Sequence, residues 1–113
     1  MRNRTSVSSE LLPGTLDILI LKTLTRGPAH GYGIARHLER VSGDALRVGE
    51  SSLYPALQRL LVNDWATTEW GESELGRRAR VYRITAAGRK RLAKETTEFT
   101  RLAGTIVTIL QGA

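Results

Sequence analysis

The chain has 113 residues, with 41% hydrophobic and 25% charged content, which suits one soluble globular domain with a modest core. It has no cysteine, which excludes a disulfide framework and thiolate chemistry, and no apolar run reaches the length of a membrane span. Its 17 Lys+Arg against 11 Asp+Glu give a net charge of +6, a surplus that suits a polyanionic partner.

Residues 1–10 are polar and Ser-rich, lack the apolar core of a secretory signal, and read as a flexible arm. We therefore expect a soluble, cytoplasmic protein. Pro13-Gly14-Thr15 opens a first helix, on which Leu16, Ile20 and Leu24 recur at helical spacing. Ile18, Leu19 and Leu21 widen that stripe, which implies burial on two sides, and Gly27-Pro28 ends the helix. A second helix spans Gly31 to Val41, with Ile34, Leu38 and Val41 on its buried face, and Ser42-Gly43-Asp44 closes it.

The third helix carries the clearest division of labour. Ser51 or Ser52 can cap it, and Pro55 falls in or beside its first turn. Leu53, Leu57, Leu60 and Leu61 make an apolar stripe, which turns Ser51, Tyr54, Pro55, Gln58 and Arg59 outward. After Asn63-Asp64 the period changes. Trp65 to Trp70 reads as a strand, Gly71 to Arg78 as a loop and Arg80 to Ile84 as the return strand. Tyr82 and Ile84 share one face of that strand, with Val81 and Arg83 on the other. Thr85 caps a final helix that runs to about Gln111. On it Leu92, Phe99 and Ile106 recur seven apart, joined by Ala103 and Leu110, while Thr96 interrupts the seam.

These elements amount to a mainly α fold with a small β-hairpin: a winged helix-turn-helix over residues 11–84 and a long C-terminal dimerisation helix over 85–113. Arg77, Arg78, Arg80, Arg83, Arg89, Lys90, Arg91 and Lys94 follow one another without an acidic residue. Ser51, Ser52, Tyr54, Gln58 and Arg59 are the candidates for contact with a duplex. Gln can pair with adenine and Arg with guanine, while Ser and Tyr hold phosphates. Arg77, Arg78 and Arg80 are the wing candidates, because a guanidinium at a hairpin tip fits a narrow minor groove or a phosphate.

Four segments resemble the PadR family of transcriptional regulators: Leu12-Pro-Gly-Thr-Leu-Asp-Ile-Leu-Ile-Leu21, His30-Gly-Tyr-Gly-Ile34, Ser52-Leu-Tyr-Pro-Ala-Leu-Gln-Arg-Leu60 and Arg80-Val-Tyr-Arg-Ile-Thr-Ala-Ala-Gly-Arg89. The resemblance runs from about Leu11 to Glu95. It implies a homodimeric repressor whose third helix enters the major groove of a double-stranded operator. It also implies a dimer interface from the first and last helices, here Leu16, Ile20, Leu92, Phe99, Ala103, Ile106 and Leu110. Release by a small aromatic or drug-like inducer is implied as well. Two departures stand out. Asn63-Asp64 replaces a customary glycine after the third helix, and asparagine is a usual substitute in a left-handed turn. Phe99 is the one aromatic residue of the last helix, which counts against a flat aromatic-binding pore at the dimer centre.

Catalysis finds little support in the sequence. His30 and His37 lack carboxylates at ligand spacing, so no metal site is expected. Gly31-Tyr-Gly33 lacks the third glycine of a dinucleotide fingerprint, so no cofactor is expected. The alternative reading is a winged helix that binds protein instead of DNA. Such a wing would expose apolar residues, whereas this one offers arginines.

Overall fold

The computed structural model describes residues 14–72 and 76–112, so the arm at residues 1–10 and the segment 11–13 lie outside the described residues. In chain order the elements are α1 (Thr15–Leu24), β1 (Ala29–His30), α2 (Gly31–Val41), α3 (Glu50–Val62), β2 (Ala66–Glu72), β3 (Arg78–Ile84) and α4 (Ala86–Leu110). The three strands form one antiparallel sheet in the order β1-β3-β2. This is a winged helix with a long C-terminal helix.

The sequence pattern indicates two strands, and the sheet has three. Ala29 and His30 pair with Tyr82 and Val81, which ties the start of α2 to the wing. A strand of two residues has no alternation to detect, so only its partner reveals it.

The core forms where α1, α2 and α3 meet over the sheet. Ile20, Leu21 and Leu24 of α1, Ile34 of α2, and Leu57 and Leu60 of α3 are fully enclosed. Leu16, Leu38, Leu53, Ala56, Ala66 and Tyr82 complete the cluster. Enclosing a leucine or isoleucine side chain contributes roughly 1.5–3 kcal/mol, so this cluster holds the three helices together. Val41, expected on the buried face of α2, is exposed. The chain leaves the helix there through Gly43 and Asp44, both at positive φ, and Val41 stays at the surface.

Two helix starts differ in kind. At α3 the cap is Gly49 rather than Ser51 or Ser52, which lie inside the first turn, and the Gly49 carbonyl accepts from the Ser52 and Leu53 N–H groups. Pro55 falls in the second turn, where it removes the N–H that would bond the Ser51 carbonyl. At α4 the cap is Thr85, as the sequence indicates. Its hydroxyl oxygen accepts from Gly88 N at 2.9 Å and its O–H donates to the Asp64 carbonyl at 2.7 Å. The turn before β2 takes its left-handed residue at Asp64 (φ 61°) and not at Asn63.

Gly88 lets α4 sit directly on that turn, because a Cβ there would stand 2.1 Å from the Trp65 carbonyl oxygen. The early part of α4 then packs against α1, with Leu92 against the core. The 25 residues of α4 give a helix of roughly 37 Å at 1.5 Å per residue, so its second half runs past the domain.

Candidate nucleic-acid interface

Helix α3 keeps its leucines inside and presents polar groups outside. Leu53, Ala56, Leu57 and Leu60 are buried, while Ser51, Tyr54, Pro55, Gln58 and Arg59 are exposed and Ser52 is half-buried. Tyr54 is 46% exposed, and its ring rests on the start of α2. Gly31 keeps the contact close, since a Cβ there would lie 3.2 Å from the Tyr54 hydroxyl and the ring would have to give slightly. Tyr54 is thus both packed on α2 and open to a ligand.

The wing faces the same way. Trp70 of β2 stands opposite Arg80 of β3, and Glu72 opposite Arg78. The Arg78 and Arg80 guanidiniums lie 4.8 and 4.9 Å from the exposed Trp70 ring, a cation–π arrangement that stiffens both arms. Arg78 belongs to the strand, whereas the sequence placed it in the loop; Arg77 precedes the strand and is exposed. On the other face Arg83 pairs with Glu69 at 3.2 Å.

Tyr54 and Arg80 meet across a groove of about 1000 Å³ between α2, α3 and β3. His30, Tyr32, Gly33, Arg36, Arg40 and Tyr82 also line it. Burial pushes the Tyr82 hydroxyl above its usual pKa, so it stays a neutral donor beside the cations. No acidic side chain lines the groove among the described residues. It therefore suits a polyanion edged with sugar and base surfaces.

Sequence reasoning missed the contribution of α2. Gly33, Arg36, His37 and Arg40 share one face of that helix, opposite Ile34 and Leu38. The Arg36 Nη1 donates to the Tyr32 hydroxyl at 2.7 Å. The helical projection that separates the faces of α3 separates these as well, so the signal was present in the sequence.

Four expected site residues have partners within the chain. Arg59 donates to Asp17 of α1 through Nε at 3.0 Å and Nη2 at 2.8 Å, a two-pronged bond that raises its pKa. That bond engages the fork that would bridge a guanine. Leu16 is 7% exposed and Ile20 wholly enclosed in their own core, so neither offers surface to a second copy. Leu92 packs on its own domain too. The remaining seam residues behave differently. Phe99, Ile106 and Leu110 are exposed and Ala103 half-buried, flanked by exposed Leu102, Val107 and Ile109. Among the early cations of α4, Arg91 lies 4.7 Å from the Trp65 ring and pairs with Glu95 at 2.9 Å.

Comparison with known proteins places this geometry in context. Residues 20–94, well over half of the chain, match the family described as "Transcriptional regulator PadR-like family". A transcriptional regulator from Clostridium thermocellum is similar at 28% identity and a TM-score of 0.77, covering 84% of this chain and 92% of that one. A PadR-like transcriptional regulator from Bacillus cereus is similar at 26% identity and a TM-score of 0.75, covering 92% and 99%. A PadR family transcriptional regulator from Eggerthella lenta is similar at 26% identity and a TM-score of 0.73, covering 88% and 85%.

Proposed function

Because this chain belongs to the PadR-like family of transcriptional regulators, we propose that it is a homodimeric repressor that reads an operator through α3 and the β2–β3 wing. One observation carries this reading: Tyr54 and Arg80 wall a single open groove, with Gln58 exposed on the same helix as Tyr54. Gln58 is the base reader, because its amide can pair with adenine in the major groove. Ser51, Ser52 and Tyr54 hold backbone phosphates and set the register. Arg77, Arg78 and Arg80 follow the backbone into the adjacent minor groove, with Trp70 bracing the last two. Arg59 stays outside this set, held by Asp17.

The dimer forms along the second half of α4. Phe99, Ala103, Ile106 and Leu110 lie on one stripe, and Leu110 is 79% exposed in a single chain. Pairing these stripes places two recognition helices about 34 Å apart, one turn of B-DNA. The protein acts in the cytoplasm, and a small aromatic or drug-like compound releases it from DNA; among the described residues no helix is long and apolar enough to cross a membrane.

An anisotropy titration against the gene's own upstream region tests this function. The reading expects sequence-preferring binding that weakens steeply with salt, as counterions are displaced from the duplex. Equal, weak affinity for that region and for unrelated duplexes would overturn it.

A further inference from the structure

The groove shared by Tyr54 and Arg80 leaves part of the charge on α2 unexplained. Further along that helix face, His37 and Arg40 converge with Arg26 of the turn after α1. Arg26 Nη1 contacts both ring nitrogens of His37, with Nε2 at 3.1 Å, and Arg40 Nη2 lies 3.3 Å from Nδ1. A shallow depression of about 270 Å³ opens beside them, floored by Thr23, Gly27 and Gly33.

The convergence sets two positive charges on one neutral acceptor. Two guanidiniums crowd one imidazole, and among the described residues neither arginine forms an ion pair. Burial, and then the charges of Arg26 and Arg40, hold the His37 pKa below its usual value. The three groups come from two elements, Arg26 from the turn after α1 and the others from α2. Their meeting is therefore a property of the fold and not of one charged run.

The cluster is also continuous with the groove. Gly33 and Arg40 border both, and nothing beyond the helix's own backbone and its chain neighbours stands within 4 Å of where a Gly33 Cβ would lie. An open band of cations runs from Arg80 across Arg36 and Arg40 to Arg26. In a helix-turn-helix the first helix of the pair crosses the nucleic-acid backbone, and here that helix is α2.

We propose that Arg26, His37 and Arg40 form a phosphate clamp, separate from α3 and the wing, that grips the DNA backbone where it crosses α2. The inference rests on the DNA-binding reading above. A phosphate seated between the arginines accepts charge-assisted hydrogen bonds from both and removes their mutual repulsion. It also supplies the negative charge that allows His37 to take up a proton and donate in turn. Binding is then coupled to protonation, and it tightens as the pH falls through the range in which His37 titrates in the complex.

Anisotropy with the full chain tests the clamp, using the upstream duplex and an unrelated duplex of equal length. Arg26→Gln and Arg40→Gln are expected to weaken both duplexes alike, by roughly three- to tenfold, and each to lower the salt slope by about 1. Wild type is expected to bind severalfold more tightly at about pH 6 than at about pH 7.5, and His37→Gln to lose that difference while His30 remains. Histidine ring NMR supplies a second readout that needs no arginine variant. The His37 signal should move with micromolar duplex, and with inorganic phosphate only at millimolar concentration. If both arginine variants bind as wild type while Tyr54→Ala still weakens the upstream duplex, the clamp is wrong and the DNA-binding reading stands. If His37 responds to inorganic phosphate as strongly as to duplex, the site serves a free anion and the backbone assignment falls. If wild type binds no duplex, both readings fall together.

Discussion

Two surfaces of this chain are left unsatisfied by its own fold, and they are unsatisfied in opposite ways. The band across α2, α3 and β3 gathers Arg26, Arg36, Arg40 and Arg80 around exposed Tyr32 and Tyr54. The second half of α4 exposes Phe99, Leu102, Ile106, Val107, Ile109 and Leu110. At about 100° per residue these six fall within an arc of about 160°, one face of the helix. The first surface lacks anions and the second lacks apolar neighbours. Each deficit describes a partner: a polyanion for one, a second copy of the same helix for the other. The relation between them depends on Gly88, which fixes the base of α4 on the turn before β2.

The largest effect should come from that junction. Gly88→Ala would drive a Cβ into the Trp65 carbonyl oxygen, a rigid neighbour. A loss of about 3 kcal/mol of folding stability is expected, read from urea denaturation. A wild-type midpoint would show that α4 can lift from the domain at little cost, and the fixed relation of the two surfaces would be lost.

Next in size is the apolar face. Ile106→Asp places a charge in the α4 seam without touching the domain core. The protein should become a folded monomer by light scattering, and operator affinity should fall on the order of a hundredfold because both half-sites are no longer held together. A dimer that survives this change would put the interface elsewhere.

The basic surface separates into reading and gripping. Tyr54→Ala and Gln58→Ala should each cost roughly tenfold on the operator, and Gln58→Ala should narrow the gap between operator and unrelated DNA. Arg80→Ala should weaken both duplexes by a similar, smaller factor and reduce the salt slope by about 1. If Arg80→Ala changed sequence preference more than Gln58→Ala, the roles of wing and helix would be reversed.

The smallest effect concerns the residue that looks like a reader and is placed as a strut. Arg59→Ala should lower stability by up to about 1 kcal/mol, through the lost bond to partly buried Asp17, and leave operator preference unchanged. Asp17→Asn should lower stability in the same direction. A change of base preference on Arg59→Ala would return that residue to the DNA surface.

How much of this was legible in the sequence depends on the range of the interaction involved. The bounds of α2, the Thr85 cap and the division of α3 into leucine and polar faces follow from neighbours within a turn or two, and the structure has them. The pairing of Ala29–His30 with β3 and the bond from Arg59 to Asp17 join distant parts of the chain, and no local pattern encodes them. Leu16 and Ile20 show the same limit, since an apolar stripe does not say whether its partner is the same chain or another. The cations of α2 are a different case. Their common face is local information, but charge there is sparser than in the run from Arg77 to Lys94, which dominates the sequence signal.

Operator binding requires that α4 present two copies of the α3–wing surface to one face of a duplex. Hydroxyl-radical footprinting of the upstream region measures that directly. Two protected patches about one helical turn apart on the same face, both erased by Tyr54→Ala, are the predicted result. A single patch, or protection that is even along the duplex and indifferent to Tyr54, would contradict it.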